Sequence, residues 1–397
     1  MNLLSLASRQ IWPHVLLVAH LKPQRLFLLH SENAAESRTP AQRLKRFFDQ
    51  SNLVAKGNTS LVCVSDSDFS TIETQLDELQ TNRQLLPSDC IVNFTGGNKL
   101  MATAAFRWAA KRGVRALYLE RRNQLTWFEP RDGDVLTRNE CVDGHLTDAL
   151  DSLPLLRCQL DASEVDREGQ RIELNSAARA VRDADFWKQL PSLTAEQIER
   201  WLTITGAGNR EQNKGDGLEL AVAAALLRLG VQQVRRSLRL KVHSAPGVSA
   251  RLPHAELDLF FNFAGKLWVV DCKDRKPVTD LADGLRRISQ PHTPADRQQF
   301  DELFERLRDQ LSISDTKVIK EDLLAAREIG GLLGETICVR RAALSPEVRE
   351  FARRNHVHLI ENCRQTHALR EEITAILHPN TPASAESVTS LKHHFRK

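Results

Sequence analysis

The segment AELDLFFNFAGKLWVVDCKDR, residues 255–275, contains two apolar runs separated by Ala264-Gly265. Such a dipeptide between two β-rich runs predicts a hairpin with a two-residue turn. Counting outward from the turn, residue by residue on each strand, places Asp258 directly opposite Asp271. Opposed side chains have Cβ atoms about 5 Å apart, and two like charges at that distance destabilise the pair. Some other group must therefore compensate the two carboxylates.

Lys273 provides one such group, because it lies two residues beyond Asp271 and points to the same face of the sheet, whereas Cys272 points to the other. Two aspartates and a lysine thus converge on one patch. A divalent cation held by carboxylates beside a lysine is the arrangement expected for metal-assisted hydrolysis. The alternative is structural: Lys273 is the ion-pair partner of Glu256, which lies opposite it in the same register.

A third acid is expected from the helical pattern GDGLELAVAAALLRLG, residues 215–230. Glu219 shares a helix face with the apolar residues three, four and seven positions further on. A carboxylate on a buried face needs a partner, which the hairpin can offer. The alternative is helix capping, because Asp216 and Glu219 have capping-box spacing.

A glutamate in a helix, then an aspartate, then D-x-K in a hairpin resembles the PD-(D/E)xK nuclease superfamily, over about residues 211–365. The resemblance implies an active site of four side chains, Glu219, Asp258, Asp271 and Lys273. It implies that Asp258 and Asp271 bind Mg²⁺ or Mn²⁺ together with the backbone carbonyl of Cys272. It also implies that Glu219 supports the metal or its water and that Lys273 orients the attacking water. Asp271 stands where glutamate is the commoner residue.

The acids of such a site repel phosphate, so nucleic-acid binding needs cations nearby. Basic residues on the strand RRSLRLKV and beyond the hairpin can supply these cations, or they can form a solvated strand face. The residues are Arg235, Arg236, Arg239, Lys241 and Arg275.

The first third of the chain has a different pattern, in which short apolar runs alternate with amphipathic stretches. The runs are LLSLA (3–7), RLFLLH (25–30), LVCVS (61–65), CIVNF (90–94) and ALYLE (116–120). Nearly continuous apolar strands separated by helices predict a doubly wound, Rossmann-like α/β sheet. A closing hairpin is expected where ALYLE returns as LTWFE (125–129).

The sequence CIVNFTGGNKLMATAAFRWAAKRG, residues 90–113, is typical of a strand, a glycine turn and a helix. Glycines at such a turn let the backbone approach a ligand, and the free N–H groups of the helix start favour phosphate. The spacings of a Walker loop and of GxGxxG are absent. On these grounds a tight structural turn and an anion-binding turn remain equally open.

The sequence FTGGNKLM (94–101) resembles the TGGTK-type motif of CARF domains, the sensors of cyclic oligoadenylates in type III CRISPR defence. SRQIWPHVLL (8–17) resembles that family's other loop, S-x-Q-x-x-P-N, with His14 in place of Asn. Asn98 replaces the usual Thr. The resemblance implies an adenylate-binding site formed by Ser8, Gln10, Thr95, Gly96, Gly97, Asn98 and Lys99. For Lys99 the alternative is an ordinary lysine on a helix surface.

Taken together, the layout resembles the CRISPR-associated CARF–nuclease fusions activated by cyclic tetra-adenylate. The expected organisation is an α/β CARF ligand-sensing domain (1–145), a helical connector (146–210), a restriction-endonuclease-like α/β domain (211–377) and a disordered tail (378–397). The resemblance implies a homodimeric endonuclease that cuts DNA and also RNA. Two alternatives stay open: a constitutive restriction- or repair-type nuclease, and a non-catalytic adenylate-binding regulator.

Composition excludes other classes of protein. The chain has 397 residues, of which 41% are hydrophobic and 27% charged, with a net charge of +4. This is the balance of a globular protein, and no apolar stretch reaches the ~18 residues that a membrane span needs. The seven cysteines include no CxxC pair, and the first residues have no basic region typical of a secretion signal. A cytoplasmic protein without membrane contact is expected.

Overall fold

The computed structural model describes most of the chain. The described ranges are 1–120, 123–131, 133–160, 165–206, 216–240, 256–273, 334–341, 343–361 and 366–379, with residue 363 and a few positions between 301 and 320. Lys241, Arg275 and nearly all of the expected tail lie outside the described residues.

The described part of the chain contains both β-strands and α-helices. The strands are β1 (Asn2–Leu6), β2 (Arg25–His30), β3 (Thr59–Cys63), β4 (Cys90–Asn93), β5 (Arg115–Leu119), β6 (Gln124–Arg131), β7 (Asp134–Cys141), β8 (Val165–Arg167), β9 (Gln170–Leu174), β10 (Leu202–Thr205), β11 (Val234–Leu240), β12 (Glu256–Phe263), β13 (Lys266–Lys273), β14 (Glu335–Arg340) and β15 (Val357–Ile360). The α-helices are α1 (Trp12–Leu21), α2 (Thr39–Ser51), α3 (Phe69–Asn82), α4 (Lys99–Arg112), α5 (Ser152–Gln159), α6 (Ser176–Ala180), α7 (Asp183–Gln189), α8 (Ala195–Glu199), α9 (Asp216–Arg228), α10 (Pro346–Arg354) and α11 (Thr366–Leu377).

The first sheet has the strand order β3-β2-β1-β4-β5-β6-β7. The first five are parallel, and β5, β6 and β7 follow as antiparallel neighbours. Apolar side chains are buried on both faces, against α1, α2 and α5 on one and against α3 and α4 on the other. The five predicted strands and the closing hairpin are therefore confirmed. The parallel strands are nearly continuous apolar runs because helices cover both faces of the sheet.

The second sheet has the order β10-β9-β11-β12-β13-β14-β15, and β8 pairs with β11. The prediction that 146–210 is only a helical connector is therefore wrong: the segment supplies α5 to α8, but also the three strands β8 to β10. These strands are short, and charged residues alternate with the few that are buried. In β9 only Ile172 and Leu174 are buried, which conceals the strand pattern in a charge-rich sequence.

The two sheets share one apolar layer. Leu238 of β11, Phe260 of β12 and Val269 of β13 belong to the same core cluster as α1, α2, α5 and one face of the first sheet. The opposite face of the second sheet is covered by α7, α9 and α11. The two sheets are thus connected through a common buried cluster of side chains, which includes residues of α1, α2 and α5. None of the helices that the structure describes is long and apolar enough to cross a membrane.

Candidate active site and ligand-binding loops

The hairpin formed by β12 and β13 has the register expected from the sequence. Its turn is Ala264-Gly265, both in the left-handed region with φ of 51° and 76°, as a type I′ turn requires. The pairs extend from Phe263–Lys266 to Leu259–Val270. The next residues outward are Asp258 and Asp271, which therefore emerge side by side at the open end of the hairpin.

Lys273 joins the two carboxylates. Its Nζ lies 3.0 Å from Asp271 Oδ1 and 3.8 Å from Asp258 Oδ2. Asp258 Oδ2 also accepts a hydrogen bond from the backbone N–H of Cys272, at 2.7 Å. The ion pairs of Glu256 are with Arg167 and Arg239, which weakens the alternative that Lys273 serves as its partner.

Arg340 completes this cluster. Its guanidinium NH2 group lies 2.7 Å from Asp271 Oδ2, and each of these two side chains is only 6% exposed. The second terminal nitrogen donates to the backbone carbonyls of Asp271 and Val339. Burial opposes ionisation of Asp271, but the charges of Arg340 and Lys273 outweigh burial and hold the pKa of this carboxyl below its ordinary value. Asp271 is therefore an ionised carboxylate at neutral pH.

Sequence reasoning missed Arg340 because nothing local identifies it. Arg340 lies at the end of β14, which pairs in parallel with β13 and places Arg340 beside Lys273. The register of a parallel pair separated by about sixty residues cannot be counted from a turn, as that of a hairpin can.

The donor atoms suit a divalent cation in kind, because carboxylate and backbone carbonyl oxygens are the ligands that Mg²⁺ and Mn²⁺ prefer. Within the described ranges, no group of three His, Cys, Asp or Glu residues is close enough to hold a metal. The donor set expected from the sequence is Asp258, Asp271 and the carbonyl of Cys272, which supplies only two carboxylates. That set fits a magnesium-type ion, which usually keeps several of its waters.

The expected third acid has a different partner. Glu219 Oε2 accepts a hydrogen bond from Arg236 Nε at 2.9 Å, and both side chains are nearly buried. Burial and then the charges of Asp258, Glu219 and Asp271 raise the pKa of the Cys272 thiol, which places Glu219 within electrostatic range of the hairpin end. Its role beside a metal remains a prediction.

The basic strand β11 is not a continuous solvated face. Arg235 and Arg236 are 8% exposed and form ion pairs with Asp151 and Glu219. Arg239 pairs with Glu256 at 3.8 Å and is half exposed. Of the three described arginines, only Arg239 is therefore well placed to meet a phosphate.

The two predicted ligand-binding loops meet at one edge of the first sheet. Ser8 and Gln10 follow β1, and residues 95–99 follow β4. β1 and β4 are parallel neighbours. From β1 the sheet continues to β2 and β3 on one side, and from β4 it continues to β5 on the other, so the strand order reverses between β1 and β4. The crevice beyond the carboxyl ends at such a switch point is where open α/β sheets bind ligands.

The loops touch each other, and Gly96 is the reason that they can. A Cβ added to Gly96 would lie 1.9 Å from the backbone oxygen of Leu6 and 3.1 Å from Ser8 Oγ. Gly97 is in the left-handed region, with φ of 75°. Both glycines are therefore required by the backbone.

The other loop residues have defined positions. Thr95 Oγ1 accepts a hydrogen bond from the N–H of Leu119, at 2.8 Å. The Asn98 side chain caps α4 by accepting from the N–H of Met101. Lys99 is the first residue of α4 and is exposed, as a phosphate contact would require.

A buried polar network lies beneath these loops, and sequence reasoning missed it. Ser5 Oγ is 2.8 Å from His14 Nδ1 and accepts from Asn93 Nδ2 at 2.8 Å. Asn93 Oδ1 in turn accepts from the N–H of Thr95. The available signal was a polar residue directly after a buried apolar run in each strand, Ser5 in β1 and Asn93 in β4. The network links β1, α1 and the glycine loop.

The network predicts a pH dependence of stability. Burial lowers the pKa of His14 from the ordinary 6.5 to about 4, so the folded protein keeps this imidazole neutral where the unfolded chain binds a proton. Lowering the pH from 7 to 5 should therefore lower the free energy of unfolding by about 2 kcal/mol. In His14→Asn, whose amide can replace Nδ1 as partner of Ser5, this loss should disappear. Urea titrations at pH 7, 6 and 5 measure the free energy of unfolding, and His20→Asn in the same helix is the control. If stability depends on pH equally in the parent and in His14→Asn, the prediction is wrong.

The fold as a whole has counterparts among solved structures. The structure of Can2 from Sulfobacillus thermosulfidooxidans in complex with cyclic tetra-adenylate is similar over 94% of this chain and 95% of that chain, with 17% identity and a TM-score of 0.53. Protein VC1899 from Vibrio cholerae is similar over 95% of this chain and 97% of that chain, with 13% identity and a TM-score of 0.56. No family profile matches the sequence, and no curated protein matches it. The likeness shows a shared fold of the mixed α/β class over most of the chain.

Proposed function

We propose that the chain is a metal-dependent nuclease of type III CRISPR defence, acting on DNA and also on RNA, and that a cyclic oligoadenylate switches it on. The observation that carries the proposal is the convergence of Asp258, Asp271 and Lys273 at the open end of one hairpin. The full-length fold likeness to a protein solved with cyclic tetra-adenylate supports the choice of activator.

In this proposal Asp258, Asp271 and the Cys272 carbonyl hold Mg²⁺ or Mn²⁺. The bound cation would supply Lewis-acid activation of the phosphodiester and of water. Lys273, between the two carboxylates, orients the attacking water and offsets the charge that develops on the phosphate. Arg239 helps to hold the nucleic-acid backbone, and Glu219 is proposed to support the metal site.

The sensor half of the proposal uses the two loops at the switch point. Ser8, Gln10, Thr95, Gly96, Gly97, Asn98 and Lys99 bind the adenylate, with Lys99 and the N–H groups at the start of α4 facing phosphate. A two-fold-symmetric ring such as cyclic tetra-adenylate matches a homodimer, in which each subunit offers the same loops to half the ligand.

A direct contact supports coupling between the two halves. The hairpin turn lies against the segment after β7: Ala264 N–H donates to Asp148 Oδ1 at 2.7 Å, and Asn262 Nδ2 donates to the carbonyl of Thr147 at 2.5 Å. A Cβ on Gly144 would lie 2.2 Å from the Ala264 oxygen, so this contact is tight. The hairpin with the carboxylates at its open end is thus attached at its turn to the segment that follows β7 of the first sheet.

Ligand binding has a direct test in thermal stability. Cyclic tetra-adenylate at 100 times its Kd should raise the free energy of unfolding by about 2.7 kcal/mol. For a cooperative unit of domain size this raises the melting temperature by roughly 5–10 °C. Differential scanning fluorimetry measures it across cyclic tri-, tetra- and hexa-adenylate, with linear tetra-adenylate as the control. A panel in which no ring shifts the melting temperature would contradict the sensor assignment.

One observation favours a second candidate, the non-catalytic adenylate-binding regulator. Both carboxylate oxygens of Asp271 already contact cationic side chains, Oδ1 with Lys273 and Oδ2 with Arg340. If these cations replace a metal permanently, the second sheet is structural and adenylate binding is the whole function. Mn²⁺ binding by the parent chain distinguishes the two candidates.

A further inference from the structure

Arg340 contributes a specific geometry to the candidate site as well as a positive charge. Lys273 lies 3.0 Å from Asp271 and 3.8 Å from Asp258, so the two carboxylates share one cation without Arg340. Arg340 adds a second, and it approaches from the neighbouring strand with both terminal nitrogens engaged.

The geometry of the fork is specific. One nitrogen donates to Asp271 Oδ2 at 2.7 Å, and the other donates to the backbone carbonyl of the same residue at 3.3 Å and to that of Val339 at 3.2 Å. Arg340 therefore fixes the side chain of Asp271 relative to its own backbone. A planar guanidinium holds its donors in one rigid fork, whereas the three donors of a lysine ammonium sit at a single point on a flexible stem.

The two oxygens of Asp271 are consequently differentiated. Oδ2 is directed at the buried arginine, and Oδ1 is directed at Lys273, whose Nζ also approaches Asp258. Asp271 thus offers Oδ1 on the side where the two aspartates and the lysine meet.

We propose that Arg340 is a positioning residue, which holds Asp271 so that Oδ1 faces the side where a divalent cation would be shared with Asp258. The inference rests on the proposed metal-dependent function. Partners that orient a metal-binding side chain typically contribute 10- to 100-fold to metal affinity. Arg340 acts through Asp271 and touches neither the metal nor the substrate.

Two substitutions separate positioning from charge. Arg340→Lys keeps the positive charge but loses the fork, and Arg340→Gln keeps an N–H donor but loses the charge. Mn²⁺ binding to each full-length variant is measured by isothermal titration calorimetry, with circular dichroism as the check on folding. Arg228→Lys is the matched control, because Arg228 also forms a fork to a carboxylate and backbone carbonyls in the same half of the chain.

The Kd for Mn²⁺ should rise at least 10-fold in Arg340→Lys and stay within 2-fold of the parent in Arg228→Lys. Arg340→Gln should also bind more weakly than the parent, and it provides the test if the lysine variant does not fold. If Arg340→Lys binds Mn²⁺ as the parent does, or if Arg340→Gln binds more tightly, Arg340 is only a counter-charge and the inference is wrong. A parent that binds Mn²⁺ no better than Asp271→Asn would instead overturn the metal assignment itself.

Discussion

Asp258→Asn is expected to reduce nucleic-acid cleavage by roughly 10³-fold or more, equivalent to about 4 kcal/mol of transition-state stabilisation. The substitution removes one negative charge and changes no side-chain volume. The amide oxygen can still accept the hydrogen bond from the N–H of Cys272, so the hairpin should remain folded. Cleavage of labelled DNA and RNA in the presence of Mg²⁺ or Mn²⁺ and cyclic tetra-adenylate is the measurement.

Glu256→Gln is the matched control for this variant. Glu256 lies two residues before Asp258 on the same strand and face, and it pairs with Arg167 and Arg239. Glu256→Gln changes the charge by the same amount as Asp258→Asn, but at a position two residues away from the carboxylate pair. Cleavage should stay within a few-fold of the parent. If both variants lose cleavage activity to a similar extent, the total charge of the strand matters and the position of Asp258 does not. Full cleavage activity of Asp258→Asn would exclude the nuclease assignment.

Asp271→Asn and Lys273→Ala should abolish cleavage as well, but Asp271→Asn is the harder variant to interpret. Removing its charge leaves Arg340 buried without its partner, and breaking a buried ion pair costs about 3–5 kcal/mol of stability. Its loss of activity therefore has to be read beside its melting temperature. Chelation of the metal gives an independent check, because cleavage that survives chelator would indicate a metal-free ribonuclease.

The hairpin was predictable because its determinants are local. Ala264-Gly265 determines the turn, the turn determines the register, and the register brings Asp258 opposite Asp271. The first sheet was predictable for a similar reason, since each buried parallel strand is a continuous apolar run between helices. In both cases the information lies within about twenty residues of sequence.

The features that could not be predicted depend on pairing between distant segments. Arg340 reaches Asp271 only through a parallel strand pair, and Arg235 meets Asp151 across more than eighty residues. Both arginines look like surface cations in the sequence, because arginine is seldom buried without a partner and the partner is remote. The strands β8 to β10 were missed because they complete a sheet whose other strands supply most of its apolar surface.

Lys99→Ala should raise the concentration of cyclic tetra-adenylate needed for half-maximal cleavage by roughly 10- to 100-fold, the range of a charge-assisted hydrogen bond of 1.5–3 kcal/mol. Lys111→Ala is the control, because Lys111 lies at the other end of the same helix and pairs with Glu73. Activation curves of the parent and both variants measure the effect. If Lys99→Ala responds to the activator as the parent does, Lys99 is an ordinary surface lysine of the helix.

Gly96→Val should have a still larger effect, because its Cβ would collide with the oxygen of Leu6 and separate the two loops that we propose bind the ligand. Moving a switch from 1:99 to 99:1 takes about 5.5 kcal/mol of differential ligand affinity, and a distorted pocket cannot supply that difference. Gly96→Val should therefore remain inactive at any attainable ligand concentration while it still binds Mn²⁺ like the parent, since Asp258 and Asp271 belong to the second sheet. A parent that cuts equally well without any ligand would replace the sensor proposal with the constitutive nuclease. A Gly96→Val variant that loses Mn²⁺ binding together with activation would show that the first sheet supports the metal site structurally, through the buried cluster common to the two sheets.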